Sequence, residues 1–98
     1  MERVIIKELF PIREQEIIIA HLNTFDWDFD NFGDVFLCFG NQRIKMRYVA
    51  SGNHEGNPTL SLKLCDPRFS SIEEIIAEIK NANAACSVER ETDESRDK

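Results

Sequence analysis

Residues 34–49 read DVFLCFGNQRIKMRYV, an apolar stretch and an alternating stretch joined by a Gly-Asn pair. The first part, 34–39, is almost continuously apolar between two glycines, which is typical of a central strand buried on both faces. The second part, 42–49, alternates between apolar and basic residues, as a half-buried strand does. Gly40 and Asn41 both tolerate a positive φ and suit a tight turn. The stretch therefore predicts an antiparallel hairpin.

The region before this hairpin predicts a strand followed by a helix. Residues 3–10, RVIIKELF, are rich in β-branched residues and favour a strand, although Ile5, Ile6 and Leu9 also fit one face of a helix. Residues 11–22 predict a helix, because a proline suits its first position and the isoleucines that follow recur at helical spacing. Three consecutive isoleucines in this stretch would equally suit a buried strand.

Four more segments have clear patterns. Residues 25–30, FDWDFD, alternate between aromatic and acidic residues and predict a half-buried strand. Residues 51–58, SGNHEGNP, predict a polar loop. Residues 60–65 alternate around leucines and predict a strand that ends at Asp-Pro-Arg, since proline cannot continue the ladder. Residues 70–86 predict an amphipathic helix, with a Ser and Glu capping box before isoleucines at helical spacing.

Together these elements predict an α+β fold. It has a single antiparallel sheet of four to five strands, in the order β-α-β-β-β-β-α, with two helices packed on one face. The 98 residues suit one domain, which we assign to residues 1–87. Residues 88–98 are charged and almost without apolar content, so we expect a disordered tail there.

The charge balance bears on the choice of partner. The chain has a net charge of -6, with 31% charged and 42% hydrophobic residues. An acidic balance opposes general phosphate binding, because affinity for nucleic acid arises largely from Lys and Arg. We therefore expect no nucleic-acid partner, and we expect any protein partner to be basic.

The cysteines and the hydropathy bear on location. Cys38, Cys65 and Cys86 match neither a paired-thiol redox motif nor zinc-ligand spacing, so we expect reduced thiols and a cytoplasmic protein. The first residues lack the apolar run and cleavage site of a signal peptide, and no apolar stretch is long enough to cross a membrane. We expect no association with membranes.

The acidic residues of FDWDFD are the main candidates for a binding surface. Asp26, Asp28 and Asp30 would lie about 7 Å apart along a strand. With Asp34 they would form an acidic row facing a basic partner, and Trp27 would supply an aromatic anchor of the kind found at interface hot spots. We assign these five residues as the predicted partner-binding site.

The basic residues of 42–49 offer a competing interpretation. Arg43, Lys45 and Arg47 have the same pitch as the three aspartates of FDWDFD and the opposite sign, so the two sets could neutralise each other across strands. The basic row would also suit RNA, with Tyr48 or a nearby phenylalanine as a stacking platform. Alternation places Tyr48 on the opposite face, which disfavours RNA. Trp27 would equally suit the core.

No pattern indicates catalysis, a cofactor or a metal site. His54 could meet Cys65, Asp66 or Asp34 in a Cys-His or His-Asp arrangement. Such residues occur in any chain of this length, and the sequence has no glycine elbow, phosphate loop or HExxH motif to locate a reaction centre. We predict a protein that is not an enzyme and that holds no cofactor.

These observations favour a small acidic protein-binding module. We expect an immunity or inhibitor type protein that neutralises a basic partner such as a nuclease toxin. The alternative is a homo-oligomeric accessory domain without catalytic activity, for instance a homodimer that pairs through a sheet face or an edge strand.

Overall fold

The computed structural model describes residues 2–25, 34–82 and 86–90. These residues form seven strands and one helix. The elements are β1 (Glu2–Ile6), β2 (Glu8–Arg13), β3 (Glu16–Ala20), β4 (Asp34–Phe39), β5 (Gln42–His54), β6 (Asn57–Leu64), α1 (Ile72–Ala82) and β7 (Cys86–Arg90).

All neighbouring strands pair antiparallel, in the order β1-β7-β4-β5-β6-β3-β2. The two outermost strands, β1 and β2, are separated in the chain by Lys7 alone. One residue spans about 3.5 Å at most, so the sheet curls until its two edges meet at Lys7. Backbone hydrogen bonds from Lys7 N to Ala20 O (3.4 Å) and from Asn23 N to Ile5 O (3.2 Å) tie this junction to the end of β3.

The core fills the inside of the curled sheet. Alternate residues of each strand point inward, as the period of a strand requires. One continuous cluster includes Val4, Ile17, Ile19, Val35, Leu37, Ile44, Met46, Tyr48, Leu60, Leu62 and Val88. Helix α1 contributes Ile72 and Ile75, both fully buried in the same cluster.

Several sequence predictions are confirmed. The 34–49 hairpin is β4 and β5, joined at Gly40, whose φ is +55°. The strand predicted at 60–65 lies in β6, and the chain leaves the sheet before Asp66. The C-terminal helix exists, although it ends at Ala82 rather than at residue 86.

The predicted fold class is wrong. Instead of four to five strands and two helices in the order β-α-β-β-β-β-α, the described residues form seven strands and one helix. Residues 11–22, predicted as a helix, contain the end of β2, a turn and β3. Ile17 and Ile19 face the core while Ile18 faces outward, so the three isoleucines follow the period of a strand.

The predicted loop at 51–58 is also wrong. Strand β5 runs on to His54 and β6 begins at Asn57, so the segment is the far end of a long hairpin. Its turn residues Glu55 and Gly56 have φ values of +52° and +83°. The segment is polar because most of it is exposed.

Strand β7 was not predicted. It pairs with β1 on one side and β4 on the other, and Val88 within it is fully buried. Residues 88–90, assigned to the tail from the sequence, therefore belong to the sheet. Residues 91–98 lie outside the described residues, as does the predicted strand at 25–30 beyond Phe25.

Candidate protein-binding surface

Strand β2 exposes two large apolar side chains. Phe10 is 42% exposed and Ile12 is 45% exposed. Between them lies Pro11, which has no N–H and is confined to edge strands or irregular positions within sheets. The pairing of β2 with β3 shifts register between Pro11 and Arg13, which leaves Ile12 in a bulge. The fold thus presents apolar side chains on a strand at the end of the hydrogen-bonded order.

A cavity of about 310 Å³ opens beside Phe10. Its base is apolar, formed by Phe10, Ile18 and Ala20 of β2 and β3. The exposed end of the β5–β6 hairpin supplies its polar side, with Asn53, His54 and Thr59.

A second cavity, of about 710 Å³, opens beside Ile12. It lies between the β2–β3 turn and the start of α1, and its lining includes Ile12, Glu14, Ser70 and Glu73. The backbone N–H of Ile72 donates to the carbonyl of Glu14 at 3.0 Å, which fixes the turn against the helix. Phe10 and Ile12 therefore stand between two concave regions.

The surroundings of this strand are acidic. Residues 7–16 and 70–82 together carry six carboxylates and three cations. Glu16 lies 3.7 Å from Arg13, and Glu8 lies 3.6 Å from His21. Glu14 and Glu73 are exposed, and no ion pair within the described residues engages either one. We call this region, comprising Phe10, Ile12, Glu14, Glu73 and the two cavities, the β2 surface.

Among the predicted partner-binding residues, only Asp34 lies within the described residues. Its carboxylate is 3.4 Å from Nζ of Lys45, so it has a counterion within the chain. Asp26, Trp27, Asp28 and Asp30 lie outside the described residues.

Two members of the basic row have carboxylate partners among the described residues, whereas the predicted partners Asp26, Asp28 and Asp30 lie outside them. Arg43 binds Glu89 of β7 at 2.8 Å, and Lys45 binds Asp34 at 3.4 Å. Glu89 belongs to the stretch predicted as a tail, which is why sequence reasoning missed this pairing.

The structure does not bring together the Cys-His or His-Asp arrangement that was considered for His54. His54 pairs with Asn57 at one end of β6, and Cys65 follows the opposite end of that strand. Eight residues of strand separate the two ends, a length of about 26 Å. Asp66 lies beyond Cys65. Among the described residues, the one carboxylate in ion-pair range of His54 is that of Glu55, at 3.9 Å.

None of the three thiols forms a disulfide bond. Burial raises the pKa of each thiol above its ordinary value. A thiol with a raised pKa is a poor nucleophile at neutral pH, because the thiolate is the reactive form. Across residues 2–25, 34–82 and 86–90, no group of His, Cys, Asp and Glu side chains is arranged to hold a metal ion.

Sequence reasoning missed the exposure of Phe10 and Ile12. An apolar pattern predicts burial, and both residues were assigned to elements that would bury them. The available signal was Pro11 between them, since proline inside a strand indicates an edge.

No protein-family model, no curated protein and no solved structure matches the chain. The described part of the chain contains no helix that is both long enough and apolar enough to cross a membrane. Function is therefore inferred from surface chemistry alone.

Proposed function

We propose that this chain is a protein-binding module whose β2 surface receives a basic protein partner. The observation that supports this most directly is the exposure of Phe10 and Ile12 on an edge strand between two cavities. Exposed apolar residues grouped beside concave surface are typical of protein–protein interaction sites.

The apolar side chains would supply affinity. Fully burying a side chain such as Phe or Ile contributes about 1.5–3 kcal/mol, and each of these two is slightly less than half exposed. A partner would therefore gain about half of that from each side chain. The cavities would accept partner side chains in turn, as paired hot spots do.

The carboxylates would select the partner. Glu14 and Glu73 line one cavity together with Arg13, whose ion pair is with Glu16, and neither Glu14 nor Glu73 forms an ion pair within the described residues. Acidic groups around an interface attract a cationic partner and speed its association. The partner we propose is accordingly basic, and a nuclease toxin neutralised by an immunity-type protein is a specific form of this proposal. The three unbonded thiols support a reducing, cytoplasmic setting.

Pairing between copies is the second candidate. An edge strand can add a strand from another chain, but Pro11 interrupts the row of donors along β2, and charged residues flank it. These features oppose edge-to-edge pairing, so we favour contact through side chains with a different protein.

The test uses the double variant Phe10→Ser/Ile12→Ser and a matched control, Val49→Ser, which alters an apolar residue that is also 45% exposed. Proteins that co-purify with the tagged wild-type chain would be identified and then measured as purified partners. The proposal requires a basic partner whose affinity falls roughly tenfold or more in the double variant and is unchanged in the control.

Charge is tested separately with Glu14→Lys/Glu73→Lys, which should slow association with that partner and weaken its salt dependence. Equal affinity of wild type and both double variants would refute the proposal. A dimer of this chain that is lost in Phe10→Ser/Ile12→Ser, measured by sedimentation, would replace it with the homo-oligomeric alternative.

A further inference from the structure

A second surface of the chain has the opposite charge. On β5, Ile44 and Met46 are fully buried, so Arg43, Lys45 and Arg47 point to the outer face of the curled sheet. Lys63 of β6 stands directly opposite Arg47 in the pairing register. These four cations form what we call the basic face.

The carboxylates on this face are covered by the cations they bind. Glu89 is 5% exposed, whereas its partners Arg3 and Arg43 are 58% and 53% exposed. Asp34 is also less exposed than its partner Lys45. Solvent, or a ligand, therefore meets ammonium and guanidinium groups rather than the carboxylates that neutralise them.

Arg47 and Lys63 are a like-charged pair placed directly across two strands. Such pairs destabilise a sheet. On the neighbouring strands, Asp34 lies opposite Arg47 and Glu16 lies opposite Lys63. Asp34 forms an ion pair with Lys45, however, and Glu16 forms one with Arg13. Within the described residues, no ion pair engages Arg47 or Lys63. An anion seated between them would remove their repulsion.

A cation–π contact between Arg43 and Phe36 lies at the other end of the basic face. The guanidinium carbon of Arg43 is 3.9 Å from the centroid of the Phe36 ring, and Phe36 is on the outer face of β4. Tyr48 is 3% exposed and lies on the inner face, as alternation predicts. The aromatic residue that shares a face with the cations is thus a nearby phenylalanine, Phe36, to which the objection raised against Tyr48 does not apply.

We propose that the basic face binds single-stranded nucleic acid. Arg47, Lys63 and Lys45 would contact phosphates, and a base would stack on the exposed side of the Arg43 guanidinium above Phe36. Single-strand readers combine cations with flat stacking groups on one sheet face in this way. The proposal is independent of the β2 surface.

The net charge of -6 does not describe this face. Asp26, Asp28 and Asp30 carry three of the negative charges, and residues 91–98 carry four acids and two bases. The described residues accordingly hold a net charge of only -1, and their cations are concentrated on the outer face of β5 and its neighbours. Affinity for a polyanion depends on the cations that meet its phosphates.

Single strands fit this face better than duplexes or acidic proteins. Duplex DNA is usually read by a helix or a two-stranded ribbon that enters a groove. Among the described residues, the basic face is a sheet surface with no such protruding element. An acidic peptide would use the cations but would leave the Arg43–Phe36 stack without a role.

The test measures fluorescence anisotropy of labelled oligothymidylate and oligouridylate, about 15 nucleotides long, with the full chain at low salt. Arg47→Ala/Lys63→Ala is compared with Lys7→Ala/Lys80→Ala, which removes the same charge from positions elsewhere. We expect wild type and control to bind alike. The first variant should lose roughly tenfold or more in affinity and should show a shallower salt dependence, by about one to two phosphate contacts.

NMR chemical shifts of the backbone amides of the wild-type chain, titrated with the same oligonucleotide, provide a second measurement. This measurement does not require any variant to fold. They should change along β5 and β6. Absence of binding at low salt, or equal loss in both double variants, would overturn the proposal. Tighter binding of a matched duplex or of a poly-glutamate peptide would overturn it in favour of that ligand.

Discussion

Arg43 of β5 and Glu89 of β7 are joined across the intervening strand β4, with Nη2 of Arg43 2.8 Å from Oε1 of Glu89. Nη2 of Arg3 lies 3.0 Å from the other carboxylate oxygen, so one nearly buried carboxylate ties β1 and β5 to β7 in addition to the backbone pairing. The hydrogen bond from Arg3, assisted by Arg43, lowers the pKa of Glu89 below its ordinary value. This carboxylate therefore stabilises the part of the sheet that supports the basic face.

Glu89→Gln should lower the free energy of unfolding at pH 7 by about 1–3 kcal/mol, because a nearly buried charged acceptor is lost. Since the folded pKa is lowered, this stability is fully present above the unfolded pKa of about 4.3 and disappears as pH falls through the folded value. Urea unfolding at pH 7 and at about pH 3 would measure both effects. Glu78→Gln, an exposed change, is the control, and an equal loss in both variants would contradict the assignment.

Val88→Ala tests whether β7 is a central strand. Val88 is fully buried and packs in the core, so the loss of its methyl groups should cost about 2–3 kcal/mol. Val49→Ala makes the same chemical change at a side chain that is 45% exposed and should alter stability by about 0.5 kcal/mol or less. Thermal or urea unfolding distinguishes them. Similar stability of the two variants would mean that residues 86–90 are not packed as described.

The hairpin of residues 34–49 could be predicted because three local signals agree there. The apolar run, the alternation and the Gly-Asn turn all favour the same structure. The helix predicted for residues 11–22 is wrong because isoleucines at 17, 18 and 19 fit both a helical face and a strand, and only pairing with β2 and β6 decides between them. Strand β7 is five residues long and adjoins a charged segment, and the sequence reasoning divided it between the end of a helix and a charged tail.

The candidate surfaces were harder to predict than the strands. The composition gives the sign of the net charge of the whole chain, but the fold separates an acidic β2 surface from a basic outer face. That separation depends on strand order, in which β5 is central and β2 is an edge. No local pattern encodes the order of non-adjacent strands, because their contacts are distant in sequence.

Gly40→Ala should destabilise the β4–β5 hairpin by about 1 kcal/mol. The residue has a φ of +55°, which side chains disfavour, although a methyl group at this position would meet no atom within 4 Å. Gly40→Asn should cost less, because Asn tolerates this conformation. Gly52→Ala is the control, since its φ is not in the left-handed region and its methyl group would make an ordinary contact with Thr59. Unfolding free energies in the order Gly52→Ala, Gly40→Asn, Gly40→Ala, from most to least stable, are expected, and the reverse order would contradict the turn geometry.

Asp66→Asn tests the junction at which the chain leaves the β5–β6 ladder. The Asp66 carboxylate accepts hydrogen bonds from the backbone N–H groups of Lys45 (3.1 Å) and Arg68 (3.0 Å) and from the Arg68 guanidinium (2.8 and 3.0 Å). The side-chain hydrogen bond from Arg68 holds the pKa of Asp66 far below its usual range. An amide in its place would direct an N–H group at one of these donors, so the variant should lose about 1–3 kcal/mol at pH 7.

The pH dependence of the free energy of unfolding distinguishes the Asp66 carboxylate from the more exposed carboxylate of Asp34. The stability that Asp66 contributes is fully present above the unfolded pKa of about 3.9 and is lost only as pH falls further, towards the lowered folded value. The difference between wild type and Asp66→Asn should therefore be constant from pH 7 to about pH 5 and should shrink below about pH 4. Asp34→Asn, at an ion pair whose side chains are 32% and 46% exposed, should cost less than about 1 kcal/mol. A larger loss of stability for Asp34→Asn than for Asp66→Asn would show that the ion pair at the start of β4 stabilises the sheet more than the Asp66 hydrogen bonds beyond the end of β6.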